Sequence, residues 1–324
     1  MCAKVIIDRV RNKMKGTSYM SRKQYANMDP HVTVHSLMDF VRWQIESRQK
    51  NKDVSFQLDL HKNVDVDFLC SNLTRSTITW IGHSTFLIQM AGLNIVTDPV
   101  WAKLLGTYRR LSCPGIPIHE LPPIDVVLIS HSHYDHLNYR SIRHLKGQPL
   151  FLVPSGLDRA FKRRGYERVI ALEWWGTYGL DELTFSFAPA QHWTKRTLTD
   201  TNRSHWGGWV VEDGSHTIYF VGDSGYFKGF QQIGDRFDID YCLMPIGAYE
   251  PEWLMATEHV SPEEAIQAFI DTHSNVMIPM HYGAYMLADD TTEEALDRLK
   301  KGWAKTNLGK NRLNILQLGE TLCF

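Results

Sequence analysis

The 324-residue sequence predicts an α/β fold built from short buried strands and capped helices. Three observations carry this expectation. Runs of β-favouring residues separated by glycines recur from Thr77 onward. Two later segments have explicit helix-start signals. Polar residues stand repeatedly just past the strand-like runs, where loops on a rigid scaffold present chemistry.

The elements follow in order. Residues 31–50 suggest a helix, with Leu37, Phe40, Val41 and Ile45 on one side. Residues 51–62 are polar and read as connecting chain. Thr77–Trp80, Thr85–Ile88 and Leu93–Thr97 read as strands, punctuated by Gly82 and Gly92. Ile124–Ser130 is an apolar strand that opens into a histidine cluster. Further strand-like runs are Leu183–Ala188, His216–Val221 before Gly222 and Asp223, Tyr241–Met244 before Pro245, and Val276–Ile278 before His281. Ser261 caps a helix with Pro262 at its first position and Glu264 three residues after the cap. Ala265, Ile266, Phe269 and Ile270 give that helix an apolar stripe. Thr291 and Glu294 repeat the capping pattern before Ala295, Leu296 and Leu299. Residues 1–70 read as an N-terminal extension or cover, and 71–324 as the main domain.

Formal charge is -1, which gives no reason to expect a nucleic-acid partner. Residues 1–50 nevertheless hold ten Lys/Arg against four Asp/Glu, a basic face suited to solvent, acidic lipid or an acidic partner. The five cysteines are scattered and favour a reducing, intracellular setting over a disulfide framework. No stretch reaches the roughly 20 apolar residues of a membrane span. Val5–Ile7 runs at once into Asp8 and Arg9, unlike a secretory signal.

The chemistry concentrates in His131-Ser-His-Tyr-Asp-His136. Imidazole and carboxylate suit zinc, iron or manganese. Four such groups in six residues suggest two ions rather than one. His192, Asp223 and His281 each stand at the exit of an apolar run, and so are candidates to complete the two shells. Asp223 has two oxygens and can serve both ions. Two ions about 3.5–4 Å apart activate water and stabilise charge at the attacked centre. Ester, amide, lactone and phosphodiester substrates all remain open on these residues alone.

The H-x-H-x-D-H segment resembles that of the metallo-β-lactamase superfamily. Longer stretches are similar to the N-acylphosphatidylethanolamine-hydrolysing phospholipase D family. They are Trp80–Thr85, Thr97–Pro99, Leu121–Leu137, Ala190–Leu198, Gly222–Tyr226, Pro245–Pro251 and His259–Ala265. The resemblance implies an αβ/βα sandwich with two facing mixed sheets and outer helices. It implies one zinc on His131, His133 and His192, a second on Asp135, His136 and His281, and Asp223 bridging them. It places His259 near the substrate phosphate and His83 and Asp98 in support of the metal loop. Asp135, Asp223 and His259 are the implied catalytic set. The implied reaction releases N-acylethanolamine and phosphatidic acid. Lys195 and Arg196 are candidate phosphate partners. Trp193, Tyr226, Tyr249 and Trp253, with Trp174 and Trp175, are candidate acyl-pocket walls. A phospholipid substrate implies peripheral membrane contact, and a second copy of the chain is a candidate partner. A lactonase or soluble-substrate phosphodiesterase, and a non-catalytic binding protein on a hydrolase fold, are the competing readings.

Overall fold

The structure is a computed structural model and describes residues 23–29, 36–50 and 52–324. Its strands in chain order are β1 (Thr77–Gly82), β2 (Thr85–Met90), β3 (Leu93–Thr97), β4 (Leu104–Leu105), β5 (Tyr108–Arg109), β6 (Val126–Leu128), β7 (Leu150–Pro154) and β8 (Val169–Leu172). The second half supplies β9 (Thr177–Leu180), β10 (Leu183–Ala188), β11 (Gly208–Glu212), β12 (Thr217–Phe220), β13 (Tyr241–Pro245), β14 (Val276–Met280) and β15 (Thr321–Cys323). One sheet has the order β15-β1-β2-β3-β6-β7-β8 and the other β14-β13-β12-β11-β10-β9. Each is mixed. In the first, β1, β2 and β3 pair antiparallel and β3, β6, β7 and β8 pair parallel. In the second, β12, β13 and β14 are parallel and β9 to β12 antiparallel. The architecture is the αβ/βα sandwich with outer helices.

The alternation of strand side chains explains the layers. Ile78, Trp80, Phe86, Ile88, Ile95, Val126 and Leu128 meet Phe185, Phe187, Trp209, Val211 and Phe220 in one core between the sheets. Their neighbours Ile81, Leu87, Val96, Val127, Ile129, Phe151 and Val153 face the other way, against Leu137, Ile142, Leu157 and Phe161. A sheet covered on both faces needs apolar residues at every position, which is why these strands read as continuous apolar runs. Each fully buried large side chain contributes about 1.5–3 kcal/mol.

The helix Pro262–Asp271 has its expected reciprocal cap: Glu264 N donates to Ser261 Oγ and Ser261 N to Glu264 Oε2. Ala265, Ile266 and Phe269 are buried, but Ile270 is exposed and outside the stripe. At the helix Thr292–Trp303 only half the capping arrangement forms. Glu294 N donates to Thr291 Oγ1, while the Glu294 carboxylate accepts from Tyr249 Oη at 3.0 Å instead of turning back. The strand expected over Ile124–Ser130 is regular only at Val126–Leu128.

The early helix spans Leu37–Ser47, inside the expected 31–50; residues 31–35 and the side chains of Leu37 and Phe40 lie outside the described residues. The two described residues of its expected apolar side are not buried. Val41 and Ile45 are exposed, and Trp43 is the buried residue, donating through Nε1 to Asp289 Oδ1 at 3.0 Å. A single large aromatic with a polar partner outweighs two aliphatic side chains in setting how so short a helix docks. Among the described residues Cys70, Cys113, Cys242 and Cys323 are free, and no helix is long and apolar enough to cross a membrane.

Candidate metal centre

Strands β1, β3, β6, β10, β12 and β14 all end at one edge of the sandwich, and the polar residues that follow them converge there. His83 follows β1, Asp98 follows β3, and the loop carrying His131, His133, Asp135 and His136 follows β6. His192 follows β10, Asp223 follows β12 and His281 follows β14. His83, Asp98 and His281 have φ of 56°, 31° and 62°, so the chain turns sharply as each side chain is delivered. Gly222 sets Asp223. Its φ is 70°, and a Cβ there would stand 2.8 Å from Ser130 Cβ, so only glycine lets this loop lie against the histidine loop.

Two sets of donors form. His131 Nε2 and His192 Nε2 lie 2.9 and 3.2 Å from His133 Nδ1. Beside them His136 Nε2 lies 3.1 Å from Asp135 Oδ2 and 3.2 Å from His281 Nε2, and His281 Nε2 lies 3.4 Å from Asp135 Oδ2. Asp223 stands between the sets. Its Oδ2 is 3.1 Å from His136 Nε2 and 3.9 Å from both His131 and His192 Nε2, and its Oδ1 is 3.1 Å from His281 Nε2.

The surrounding hydrogen bonds decide which nitrogens are bare. Asp98 accepts from Ser130 N and Ser130 Oγ, so Ser130 Oγ is left to accept from His131 Nδ1 at 2.9 Å, and the His131 proton sits away from the centre. His192 Nδ1 donates to the Glu258 carbonyl at 3.0 Å, with the same result. The bare nitrogens of His131 and His192 therefore face one spot beside His133 Nδ1. Neutral lone pairs this close repel unless a cation lies among them. Ligands at about 2.0–2.1 Å from a tetrahedral ion stand about 3.3 Å apart, which these spacings match. Burial, then the neighbouring imidazoles, hold His131 and His192 well below the usual histidine range and so in the ligating neutral form.

The second set carries the negative charge. Burial disfavours ionised Asp135 and Asp223, but His136 above all, helped by His281, outweighs it and keeps both carboxyls well below their ordinary range. Against the same burial cost, Asp223 with Asp135 raises His281 to about 9. Protons on imidazole there answer a demand for positive charge that metal cations would meet. Asp223 Oδ1 and His281 Nδ1 are buried without a hydrogen-bond partner. The donor set fits a pair of divalent ions.

The remaining expected residues divide. His83 Nε2 lies 3.0 Å from Asp135 Oδ2, and burial, then His281, lowers its pKa to about 3. His259 Nδ1 lies 3.9 Å from Asp223 Oδ2 without a hydrogen-bond partner, and burial pushes it down to about 4. His259 also lines a recess of about 300 Å³ with Tyr249, Glu252, Ala256, Ser261 and Arg298. The Trp193 ring centroid is 5.2 Å from that of His133, and its Nε1 donates to Glu258 Oε2.

Arg196 is engaged with the histidine loop. Its Nη1 donates to the carbonyls of Ser132, His133 and Leu137, and its guanidinium covers the Tyr134 ring at 4.0 Å. A half-buried charged donor on three carbonyls fixes the histidine loop. Lys195 is exposed. Tyr226 donates to Asp271 and packs on Phe230, and Trp253 lies exposed beneath Arg42, so neither is aimed at the donors. Trp174 donates to the Trp206 carbonyl and Trp175 stacks on Arg236, which makes both part of the scaffold. Sequence reasoning missed Ser130, Glu258 and Asn27. Ser130 could have been found as the polar residue ending a buried strand; the other two act through main-chain or long-range bonds with no sequence signal.

Convergent nitrogen and carboxylate donors in two sets, at one edge of a two-sheet sandwich, define a metal-dependent hydrolase with binuclear chemistry. The chain belongs to the metallo-β-lactamase superfamily, whose Beta-lactamase superfamily domain matches residues 93–282. It is 37% identical over 240 residues to an uncharacterized protein of Mycobacterium tuberculosis, covering 70% of this chain and 63% of that one. It is 34% identical over 245 residues to N-acyl-phosphatidylethanolamine-hydrolyzing phospholipase D 1 of Caenorhabditis elegans, covering 69% of this chain and 68% of the relative. The chain thus spans about two thirds of the length of these curated relatives. A possible metal-dependent hydrolase from Veillonella parvula superposes with a TM-score of 0.63 at 15% identity, over 78% of this chain and all of that one, which bears on the fold alone.

Proposed function

We propose that this chain is a binuclear zinc hydrolase of phospholipase D type, cleaving N-acylphosphatidylethanolamine to N-acylethanolamine and phosphatidic acid. The observation that carries the metal part is the position of Asp223 between two sets of donor atoms. Similarity to the nematode phospholipase supports the substrate. His131, His133 and His192 would hold one ion, Asp135, His136 and His281 the other, and Asp223 both. When bound, the ions supply Lewis acidity and lower the pKa of water toward about 7.

The chain's residues do the rest. Asp98 and the Glu258 carbonyl keep protons off the ligating nitrogens of His136 and His192. His83 orients Asp135, whose carboxylate takes the proton that water loses as it attacks phosphorus. The phosphorus–oxygen bond on the headgroup side breaks, and the alkoxide released takes up a proton. His259, kept neutral by burial, donates a hydrogen bond to the phosphate through its ring N–H or passes that proton. The recess beside it receives the headgroup. A lipid substrate brings this face to a bilayer surface.

The test is an assay of purified, zinc-reconstituted protein on N-acylphosphatidylethanolamine vesicles beside a panel of lactones and soluble phosphodiesters. Release of N-acylethanolamine is expected. Turnover of a lactone or a soluble diester alone would replace the lipid assignment and leave the metal chemistry standing.

A further inference from the structure

Asn27 joins the described N-terminal stretch to the candidate metal centre. Its side-chain amide is bidentate on the main chain of His192: Nδ2 donates to His192 O at 2.9 Å, and Oδ1 accepts from His192 N at 3.0 Å. The same Oδ1 accepts from Trp206 Nε1 at 2.9 Å. His192 lies beyond the end of β10, where no neighbouring strand serves its peptide groups, and the Asn27 amide takes that place.

The surrounding contacts are of the same kind. Tyr25 N donates to Asn202 O at 2.9 Å, and Asn202 pairs with Thr194 through both its main chain and its side chain. The Tyr25 ring stacks on His205 at 4.4 Å between centroids, and Lys23 pairs with Glu173. The 23–29 stretch thus lies along the loop that carries His192. With Asn27 on the peptide and Glu258 O on Nδ1, the imidazole is held at both ends.

We propose that Asn27 is a positioning residue for His192 and, through it, sets the affinity for the ion held by His131, His133 and His192. The proposal rests on the metal assignment above. Two neutral hydrogen bonds to the ligand's own peptide, in a partly buried setting, fix its orientation before any ion arrives, and supporting partners of metal ligands typically matter by about 10–100-fold in affinity. The effect falls on one ion, because Asn27 bonds no residue of the Asp135, His136 and His281 set.

The experiment is a zinc titration of the full-length chain against a chromophoric chelator, with thermal unfolding of the zinc-free protein measured alongside. In Asn27→Ala one of the two zinc equivalents is expected to weaken by about tenfold or more while the other holds. Asn27→Asp, of the same shape but unable to donate to His192 O, should move the same equivalent, and it decides the matter if the alanine variant does not fold. Lys23→Ala, which removes the surface pair with Glu173 and the cation over the Tyr25 ring but no bond of Asn27, should titrate as the unaltered protein. Unchanged binding of both equivalents in Asn27→Ala and Asn27→Asp overturns the proposal. So does parallel weakening of both equivalents with a matching loss of zinc-free stability, since that is general loosening. An unaltered chain that takes up no zinc removes the metal assignment itself, and this proposal with it.

Discussion

Asp98 Oδ2 lies 2.7 Å from His136 Nδ1, with both side chains fully buried beneath the centre. Burial raises the Asp98 pKa, and the hydrogen bond from His136 opposes that rise. The pair turns the His136 Nε2 lone pair toward Asp135 and Asp223. Asp98→Asn keeps the shape and tolerates the positive φ, but it removes the anionic acceptor. We expect about 10–100-fold weaker metal binding, measured by chelator competition. Affinity equal to the unaltered protein would show that the imidazole is oriented by packing alone.

Asp223→Ala should lower occupancy of both metal positions, and His192→Ala chiefly one. Mass-spectrometric metal content per chain distinguishes them. Full two-ion content in the Asp223 variant is incompatible with bridging.

Arg196 gives a stability prediction that differs sharply from its neighbour's. Arg196→Met leaves three carbonyls of the histidine loop without their charged donor, and should cost about 2–4 kcal/mol in denaturant melts. Lys195→Ala, at an exposed position, should stay within about 0.5 kcal/mol. If Arg196 instead served substrate, its loss would raise KM and spare stability.

His205 predicts an acid-side loss of stability. It sits among Tyr25, Trp174 and Trp206, and burial lowers its pKa to about 4. The folded value lies below the unfolded value of about 6.5. The contribution is therefore complete above pH 6.5 and fades as pH falls through 4, by on the order of 3 kcal/mol, because the unfolded chain takes the proton first. His205→Phe keeps an aromatic ring without a proton to gain. Urea melts between pH 7 and 4.5 should fall less steeply for it, and parallel slopes would refute the assignment.

Much of this centre was legible one residue at a time. His131, His133, Asp135 and His136 stand together in sequence, and His192, Asp223 and His281 betray themselves by following apolar runs. The strands β7, β8, β9, β11 and β15 were not legible, even where Gly147 and Gly156 flank β7 and Gly207 and Gly214 flank β11, since an apolar run this short suits a strand or a buried helix segment equally. The face of the helix Leu37–Ser47 was misread because Val41 and Ile45 outnumber Trp43 in sequence, while docking follows the indole and its bond to Asp289. The loop-fixing bonds of Arg196 were not legible for a related reason. A cation beside a proposed ligand looks available to phosphate until the carbonyls that occupy it are seen.

By itself the sequence determined the donors, because metal chemistry demands particular side chains, and those are written residue by residue. It also determined the two-faced burial of the first sheet, through apolar runs that admit no solvent side. Tertiary structure alone decided which nitrogens of His131 and His192 are bare, and that Asn27, 165 residues before His192, holds its peptide. These are distances of about 3 Å between groups far apart in the chain. Hydrogen bonds act only over such distances, so no local pattern can encode them.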